Sequence, residues 1–478
     1  MDNINLTIDG KPVSVAPGTS ILEAAKTIGH DVPHYCYHPG LSVAGNCRMC
    51  LVKVDKMPKP VISCKTPVAA DMVVYTQTDE VKKMQQSIME FLLINHPLDC
   101  PTCDQAGECR LQDYYMQYDL IPSRFDEEKV HKDKMVDLGA GVMLDEERCI
   151  VCTRCVRFCQ EVAKDEELYV QARGDHSMVA TFPGKKMQNP YAGNTVDVCP
   201  VGALTSKDFR YKKRVWFLQK TPSVCPGCSR GCNIEVHQAD SSVYRLKPRF
   251  NADVNKWWMC DEGRFGYKFI NEKRRLKPVY EQAGELVSDS LEFVLAHLQK
   301  NLQHFAASQI AFVASAEESV EEIDAFVGFA KEVGASVFYS KNDPDNPSHD
   351  DILIRADKNP NLTHVQTLGL KPFSEISEAT TAILVQRRLS DKDSKMVESR
   401  KLRVLCVFAT NENALDDKAD CILPIPTFAE QSGHYVNFEG RKQAFAKAFA
   451  PRGESQSFAD YVAQLKPLFA SDRLKKTG

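Results

Sequence analysis

The chain has 478 residues, a formal net charge of −4 and a charged fraction of 26%. That length leaves room for about three domains, each with its own core. The charge balance speaks against an electrostatic nucleic-acid binder, and no apolar run is long enough to cross a bilayer. The opening MDNINLTIDG lacks the features of a signal or transit peptide, so the expected chain starts at Met1 in a reducing compartment. Of 18 cysteines, 16 precede position 261, and many are two residues apart. CxxC spacing in a large chain without a secretion signal suits metal binding better than disulfides.

Residues 1–80 read as a small α/β unit. Alternating runs Ile4–Ile8 and Val13–Val15 flank an Asp9-Gly10 turn, a strong hairpin signal. Ser20 and Glu23 form a capping-box pattern, and Gly29 sits where the helix would end. Cys36, Cys47, Cys50 and Cys64 follow, spaced x10, x2 and x13. A long gap, a CxxC and a remote fourth cysteine follow the general plan of a 2Fe-2S ferredoxin loop, although the gaps differ from the plant type. An all-thiolate zinc ribbon would prefer two CxxC knuckles. Gly45 would let the backbone approach the sulfides.

Residues 79–95 carry Val81, Met84, Ile88, Phe91 and Leu92 at helical spacing, with Asp79 as cap and Pro97 as stop. Next comes HPLDCPTCDQAGEC, which sets His96, Cys100, Cys103 and Cys109 at His-x3-Cys-x2-Cys-x5-Cys. Thiolates with one imidazole suit zinc and iron–sulfur alike, and this spacing does not separate them. Residues 119–147 are polar and read as a solvated connector. Within them Gly139-Ala140-Gly141 has no third glycine in place and is no dinucleotide fingerprint.

The run CIVCTRCVRFC supplies Cys149, Cys152, Cys155 and Cys159, with Cys199-Pro200 far downstream. CxxCxxC with a remote Cys-Pro is a bacterial-ferredoxin arrangement for a 4Fe-4S cubane. Cys159 lacks the proline, so the expected set is Cys149, Cys152, Cys155 and Cys199, with Cys159 a buried free thiol. The last group is Cys225, Cys228, Cys232 and Cys260, with Gly227 and Gly231 permitting close backbone approach. Fifteen cysteines and His96 make 16 donors, which fill four clusters with none left over. That full use tips the balance to iron–sulfur throughout.

The order of these four motifs resembles the large peripheral-arm iron–sulfur subunit of proton-pumping NADH:quinone oxidoreductase, respiratory complex I. HPLDCPTCDQAGEC is the most specific piece. The Cys225–Cys260 group is similar to the N-terminal cluster segment of molybdopterin oxidoreductases. The resemblance implies a multidomain α/β and α+β chain. Residues 1–80 would be a β-grasp 2Fe-2S ferredoxin domain and 81–135 a His-ligated 4Fe-4S domain. Residues 136–214 would be a ferredoxin-like 4Fe-4S segment and 215–275 a molybdopterin-oxidoreductase-type 4Fe-4S segment. Residues 276–478 would be a degenerate, truncated molybdopterin-oxidoreductase-like α/β domain. There QIAFVAS, AILVQ and VLCVFAT read as strands, and Val320, Ile323, Phe326, Phe329 and Val333 as a helix that Gly334 closes. Residues 341–363 read as an exposed loop. Ala419–Gln443 resembles the segment near the pterin site. Cys406 and Cys421 read as small buried hydrophobes.

The implied cofactors are one 2Fe-2S and three 4Fe-4S clusters, with no molybdopterin. Relatives that bind the pterin have Lys-Gly after the fourth cysteine, whereas this chain reads Cys260-Asp261-Glu262-Gly263. The implied role is an electron wire, with no catalytic residue of its own. Its partners would be a flavoprotein subunit that oxidises NADH and the ferredoxin-like and quinone-site subunits of the peripheral arm. No nucleic acid and no direct membrane span are expected, and the place would be the cytoplasmic face of the bacterial inner membrane. The competing readings are an electron-transfer subunit of a soluble NAD-linked hydrogenase or formate dehydrogenase, and a scaffold with structural zinc.

Overall fold

The computed structural model of the chain describes residues 2–118 and 121–469. Two compact units divide it, Met1–Phe217 and Leu218–Gly478.

The first unit opens with the expected hairpin. Strands Ile4–Ile8 and Lys11–Val15 pair antiparallel, and Asp9 (φ 47°) and Gly10 (φ 78°) both take the positive φ of a two-residue turn that matches strand twist. The five-stranded sheet runs Lys11–Val15, Ile4–Ile8, Val73–Tyr75, Leu51–Val54, Val61–Ile62. Helix Ile21–Thr27 buries Ile21, Leu22, Ala24 and Ala25 against it, a β-grasp arrangement. Half of the capping box forms: Ser20 Oγ accepts from Glu23 N at 3.2 Å, while the Glu23 carboxylate takes Lys26 Nζ at 2.8 Å. Gly29 ends the turn at φ 76°.

Helix Asp79–Leu93 departs from the sequence pattern in two ways. Its cap is Thr78, whose Oγ1 accepts from Val81 N, and not Asp79. Its buried face is Val81, Gln85 and Met89, whereas Phe91 is 69% exposed. The reason is polar: Gln85 Nε2 donates to Leu51 O (3.3 Å) and Tyr35 OH to Met89 Sδ (3.1 Å), which rotates a glutamine inward. The connector read over 119–147 also needs correction, apart from 119–120, which lie outside the described residues. Val136–Gly139 and Val142–Leu144 form a hairpin that Leu204–Ser206 extends to three strands. Gly139, Ala140 and Gly141 are its turn, all at positive φ. Asp145 and Arg148 are buried there, since Lys134 and Asp99 pair their charges.

The second unit pairs Gln219–Val224, Asn233–Ala239 and Ser242–Pro248 in one antiparallel sheet. Its large sheet, among the described residues, runs Glu285–Ser288, Val279–Gln282, Cys421–Pro424, Val404–Ala409, Ala382–Gln386, Ile310–Ser315, Ser336–Ser340, Lys371–Pro372. From Cys421 onward every pairing in that order is parallel. Apolar cores cover both faces, so the central strands are buried throughout, as parallel sheets require. The three strands read from sequence lie here. Helix Val320–Glu332 buries Val320, Ile323, Phe326 and Phe329, and Gly334 (φ 74°) follows it. Residues 341–361 form no helix or strand, as expected, but the stretch is not simply exposed. Leu353, Ile354, Lys358, Asn359 and Asn361 are buried, the last because its side chain donates to Glu318 O at 2.8 Å.

Candidate metal centres

The first donor set sits on the loops that flank strand Leu51–Val54. Cys36 meets the thiols of Cys47 and Cys64, and Cys64 meets Cys50. Sharing these protons lowers the Cys36 thiol and raises Cys47 and Cys64. Four sulfurs this close cannot all ionise without positive charge among them, which is what a cluster's iron provides. Cys36, Cys50 and Cys64 are buried. Arg48, between Cys47 and Cys50, holds φ 59°, a strained value at the knuckle of a CxxC. Gly45 holds φ 67°, a conformation that favours glycine, and an added Cβ would meet Ile62 Cδ1 at 2.9 Å.

Cys149, Cys152, Cys155 and Cys199 line one cavity together with Leu144, Val179, Val201, Ala203 and Leu204. Burial pushes Cys149, Cys152 and Cys199 up to about 11. Backbone N–H groups of Val151, Arg154, Val201, Ala203 and Leu204 are aimed at these sulfurs and work the other way. Such donors tune a bound cluster. Val151 (φ 48°) and Thr153 (φ 62°), both β-branched, sit in the left-handed region, a cost of about 1–3 kcal/mol each that the surrounding fold must sustain. Cys159 does not line the cavity. It is fully buried behind it, in the wide turn Cys159–Ala163.

In the His96 set, Cys103 and Cys109 are buried and Cys100 is exposed. Burial pushes Cys109 up to about 11, despite the N–H groups of Gln112 and Leu111, and the Cys103 and Cys100 sulfurs add to the rise. Burial, with Arg148 and two lysines nearby, pushes His96 down to about 4 against the pull of Asp99, so the imidazole is neutral at pH 7. Its Nδ1 is buried with no hydrogen-bond partner. A neutral imidazole with an orphaned nitrogen fits a metal ligand.

The fourth cavity lies in the second unit. Cys225, Cys228, Cys232 and Cys260 line it with Gly227, Gly231 and Gly263. Cys260 Sγ caps helix Asp261–Phe265 by accepting from Gly263 N at 3.3 Å. The Ala419–Gln443 stretch braces this loop: Gln443 Nε2 donates to Gly231 O at 2.9 Å and Asn233 Nδ2 to Gln443 Oε1 at 2.6 Å. Cys406 and Cys421 are far from this use. They are register partners in the buried sheet.

Two glycines escaped the sequence reading. A Cβ on Gly202 would lie 2.2 Å from Cys103 Sγ, and one on Gly263 would lie 2.9 Å from Cys225 Sγ. Gly202 follows Cys199-Pro200 by two residues, yet its crowding is with the His96 set, a meeting only the fold makes. Gly227, prominent in the sequence pattern, would place a Cβ at an ordinary 3.5 Å. Among the described residues no three His, Cys, Asp or Glu side chains converge as ligands of one metal ion. Two of the four sets instead ring a cavity, the arrangement that suits a cubane.

The three sets of the first unit adjoin one another. Asn46 Nδ2 donates to Val151 O at 3.3 Å, and Arg157 Nη2 to Cys36 O at 2.6 Å, joining the Cys36 and Cys149 sets. Arg148 pairs with Asp99 at 2.6 Å and Arg110 N donates to Pro200 O at 3.2 Å, joining the Cys149 and His96 sets.

Family models match along the chain in the order of these sites. A 2Fe-2S iron-sulfur cluster binding domain covers residues 1–79, and the NADH-ubiquinone oxidoreductase-G iron-sulfur binding region covers 85–124. The ferredoxin-like domain of NADH-quinone oxidoreductase subunit 3 covers 139–205. The molybdopterin oxidoreductase Fe4S4 domain covers 218–272, and the molybdopterin oxidoreductase model covers 330–465. An NADH-quinone oxidoreductase subunit from Rickettsia bellii is 40% identical over 334 residues, 70% of this chain and 49% of the relative. The NADH-ubiquinone oxidoreductase 75 kDa subunit of Reclinomonas americana is 39% identical over 390 residues, 80% of this chain and 55% of the relative. The chain belongs to this family of large complex I iron–sulfur subunits. A further member, the mitochondrial iron-sulfur protein 1 of NADH dehydrogenase [ubiquinone] from Solanum tuberosum, is 39% identical over 73% of this chain and 47% of its own length. The chain thus spans about half the length of these family members. It carries the family's 2Fe-2S and 4Fe-4S binding domains, followed by a molybdopterin-oxidoreductase fold. A solved NAD+-reducing [NiFe]-hydrogenase chain is 28% identical, covering 44% of this chain and 91% of that one with a TM-score of 0.40, too slight a likeness to weigh between readings.

Proposed function

We propose that the chain is an electron-carrying subunit of NADH:quinone oxidoreductase. It would stand between a flavoprotein subunit that oxidises NADH and the ferredoxin-like and quinone-site subunits of the peripheral arm. Cys36, Cys47, Cys50 and Cys64 hold a 2Fe-2S cluster in this reading. His96 with Cys100, Cys103 and Cys109, then Cys149, Cys152, Cys155 and Cys199, then Cys225, Cys228, Cys232 and Cys260 each hold a 4Fe-4S cluster. A bound cluster supplies one-electron storage. The chain's own residues supply the rest: Leu144, Val179 and Leu204 keep water from the Cys149 set, backbone N–H groups brace the thiolates, and Gly202 and Gly263 leave room for sulfur. The observation that carries the reading is adjacency. The Cys149 set has backbone and side-chain bonds to the Cys36 loop on one side and the His96 loop on the other.

A peripheral place on the cytoplasmic face of the bacterial inner membrane is part of this proposal and rests on the family relation; no described helix is long and apolar enough to cross a membrane. The second unit has a cavity of about 620 Å³ beside Cys225 and Gly263, lined also by Lys358, Arg387 and Arg388. A pterin dinucleotide would need such cations for its phosphates, yet these three are already paired, and the remaining lysine of the lining, Lys273, is exposed. Lys358 binds Glu262 at 2.7 Å, Arg387 binds Glu318 at 3.0 Å and Arg388 binds Glu317 at 2.5 Å. This unit is then a braced structural domain without molybdopterin. Metal and sulfide analysis of the anaerobically purified complex tests the whole reading. Iron with matching acid-labile sulfide is expected; stoichiometric zinc, molybdenum or tungsten on this subunit would overturn the corresponding part.

A further inference from the structure

Arg154 and Arg157 are buried, 6% and 8% exposed, in the helix Arg154–Phe158 that follows Cys152. Among the described residues neither guanidinium has a carboxylate within ion-pair distance. Their acceptors are neutral carbonyls, and the choice of carbonyls is telling. Arg157 Nη2 donates to the carbonyl of Cys36 at 2.6 Å and lies 3.5 Å from that of Cys152. Arg157 Nη1 donates to Ser42 O in the same loop as Cys36. Arg154 donates to Tyr37 O, next to Cys36, and to Val198 O, next to Cys199, the latter at 3.2 Å. Each arginine thus ties one cysteine loop to the other.

A guanidinium stays charged in a protein, and burying it without a counter-charge is expensive. Arg154 Nε is also buried with no acceptor. Bound to iron, Cys152, Cys199 and Cys36 would be the anionic groups around Arg154, and the Arg110 guanidinium opposes them. The neighbouring junction is built differently. There Arg148, equally buried, meets the Asp99 carboxylate at 2.6 Å, so its charge is spent locally.

We propose that Arg154 and Arg157 are a shared cationic clamp, holding the Cys36 and Cys149 donor sets together and raising the reduction potential of both clusters at once. The clamp rests on the cluster reading of those two sets. A positive charge beside a cluster favours its reduced, more negative form, and a low local dielectric enlarges the effect. The two guanidinium groups act as positioning groups, bonded to carbonyls of ligands and of their neighbours, while the backbone N–H of Arg154 is aimed at the Cys152 sulfur.

The test is a potentiometric titration, followed by electron paramagnetic resonance, of the purified complex carrying Arg157→Gln, Arg157→Lys or Arg148→Gln. Arg157→Gln should disfavour reduction of both clusters at least tenfold, a fall of 59 mV for a one-electron couple, with the His96 and Cys225 signals unmoved. Arg157→Lys should restore most of the shift, because it returns the charge. Arg148→Gln should leave the Cys36 cluster's potential where it was. If Arg157→Gln fails to assemble, joint loss of the Cys36 and Cys149 signals with rescue by lysine supports the clamp, and loss of one signal alone overturns it. Unchanged potentials in a variant with full iron and sulfide also overturn it. Wild-type complex lacking iron at these sets would sink the cluster reading instead, so the two failures are distinguishable.

Discussion

A single methyl group at residue 202 probes whether Cys103 is bound to iron. Gly202 is not among the positive-φ glycines, so alanine there does not meet the left-handed strain. The problem is space. Its Cβ would lie 2.2 Å from Cys103 Sγ and 3.1 Å from Gln105 Cβ. A comfortable contact is about 3.5–4.0 Å, so sulfur and methyl must separate by about 1.3 Å or more. A free cysteine can do this by rotating its side chain. A thiolate bonded to a cluster cannot, and overpacking of this kind costs roughly 1–3 kcal/mol. Gly202→Ala should therefore leave the chain folded but lower occupancy of the His96 cluster by about tenfold for every 1.4 kcal/mol. Iron content and the paramagnetic signal of that cluster are the readouts. Gly227→Ala is the matched control, since its Cβ would sit at 3.5 Å from Cys225 Sγ and should be tolerated. The reasoning fails if Gly202→Ala keeps a full, unshifted His96 signal. It fails equally if Gly227→Ala is the more damaging change.

Three further outcomes follow from the same sites. Cys199→Ser should abolish one 4Fe-4S signal while Cys159→Ser preserves all clusters, because only the former thiol lines the cavity; loss of a cluster in the Cys159 variant alone would contradict this. His96→Cys replaces a neutral donor by a thiolate, so the cluster's potential should fall, and an intact cluster with unaltered potential would remove His96 from the ligand set. Glu322, buried at the start of helix Val320–Glu332, is raised to about 8 by burial and by Glu318. A folded value above the ordinary 4.5 means that the folded state holds the extra proton. The resulting stabilisation is full below pH 4.5 and is lost as pH rises through 8, a span of a few kcal/mol in all. Amide exchange of that helix should show falling protection over this window, after correction for intrinsic rates, and Glu322→Gln should flatten the trend.

What was legible in the sequence was local. The Asp9-Gly10 hairpin, the Ser20 cap, the turn at Gly29 and the helix ended by Gly334 depend on neighbours in the chain, and the structure has them all. Readings failed where a distant partner decided. Leu51's carbonyl turns Gln85 inward and leaves Phe91 outside, rotating the expected apolar face while Val81 stays buried. Leu204–Ser206 recruits a charged stretch into a sheet because Lys134 and Asp99 neutralise its buried Asp145 and Arg148. Gly202 looks like an ordinary turn residue until Cys103, nearly a hundred residues earlier in the chain, is seen against it.

The charge at Glu262 shows how such a distant partner changes a chemical argument. In sequence, a carboxylate stands where pterin-binding relatives carry a lysine, which suggests a bare negative charge beside the Cys225 set. In the structure Lys358 returns the ammonium from a loop almost a hundred residues downstream, 2.7 Å from Glu262 and with Ser348 Oγ 2.9 Å away. The local charge is therefore close to zero, and simple repulsion no longer explains why a phosphate-bearing pterin would be refused. Occupancy does. Lys358 is 5% exposed and has both its partners at hand, so releasing it to a phosphate would strand Glu262 next to the Cys225 and Cys260 sulfurs. The cavity keeps the volume of a ligand site, while the buried cations on its lining, Lys358 and Arg387, are held by carboxylates of the fold. The same pairing ties residues 348–358 to the helix after Cys260, and Leu353 and Ile354 complete the apolar wall around the four thiols.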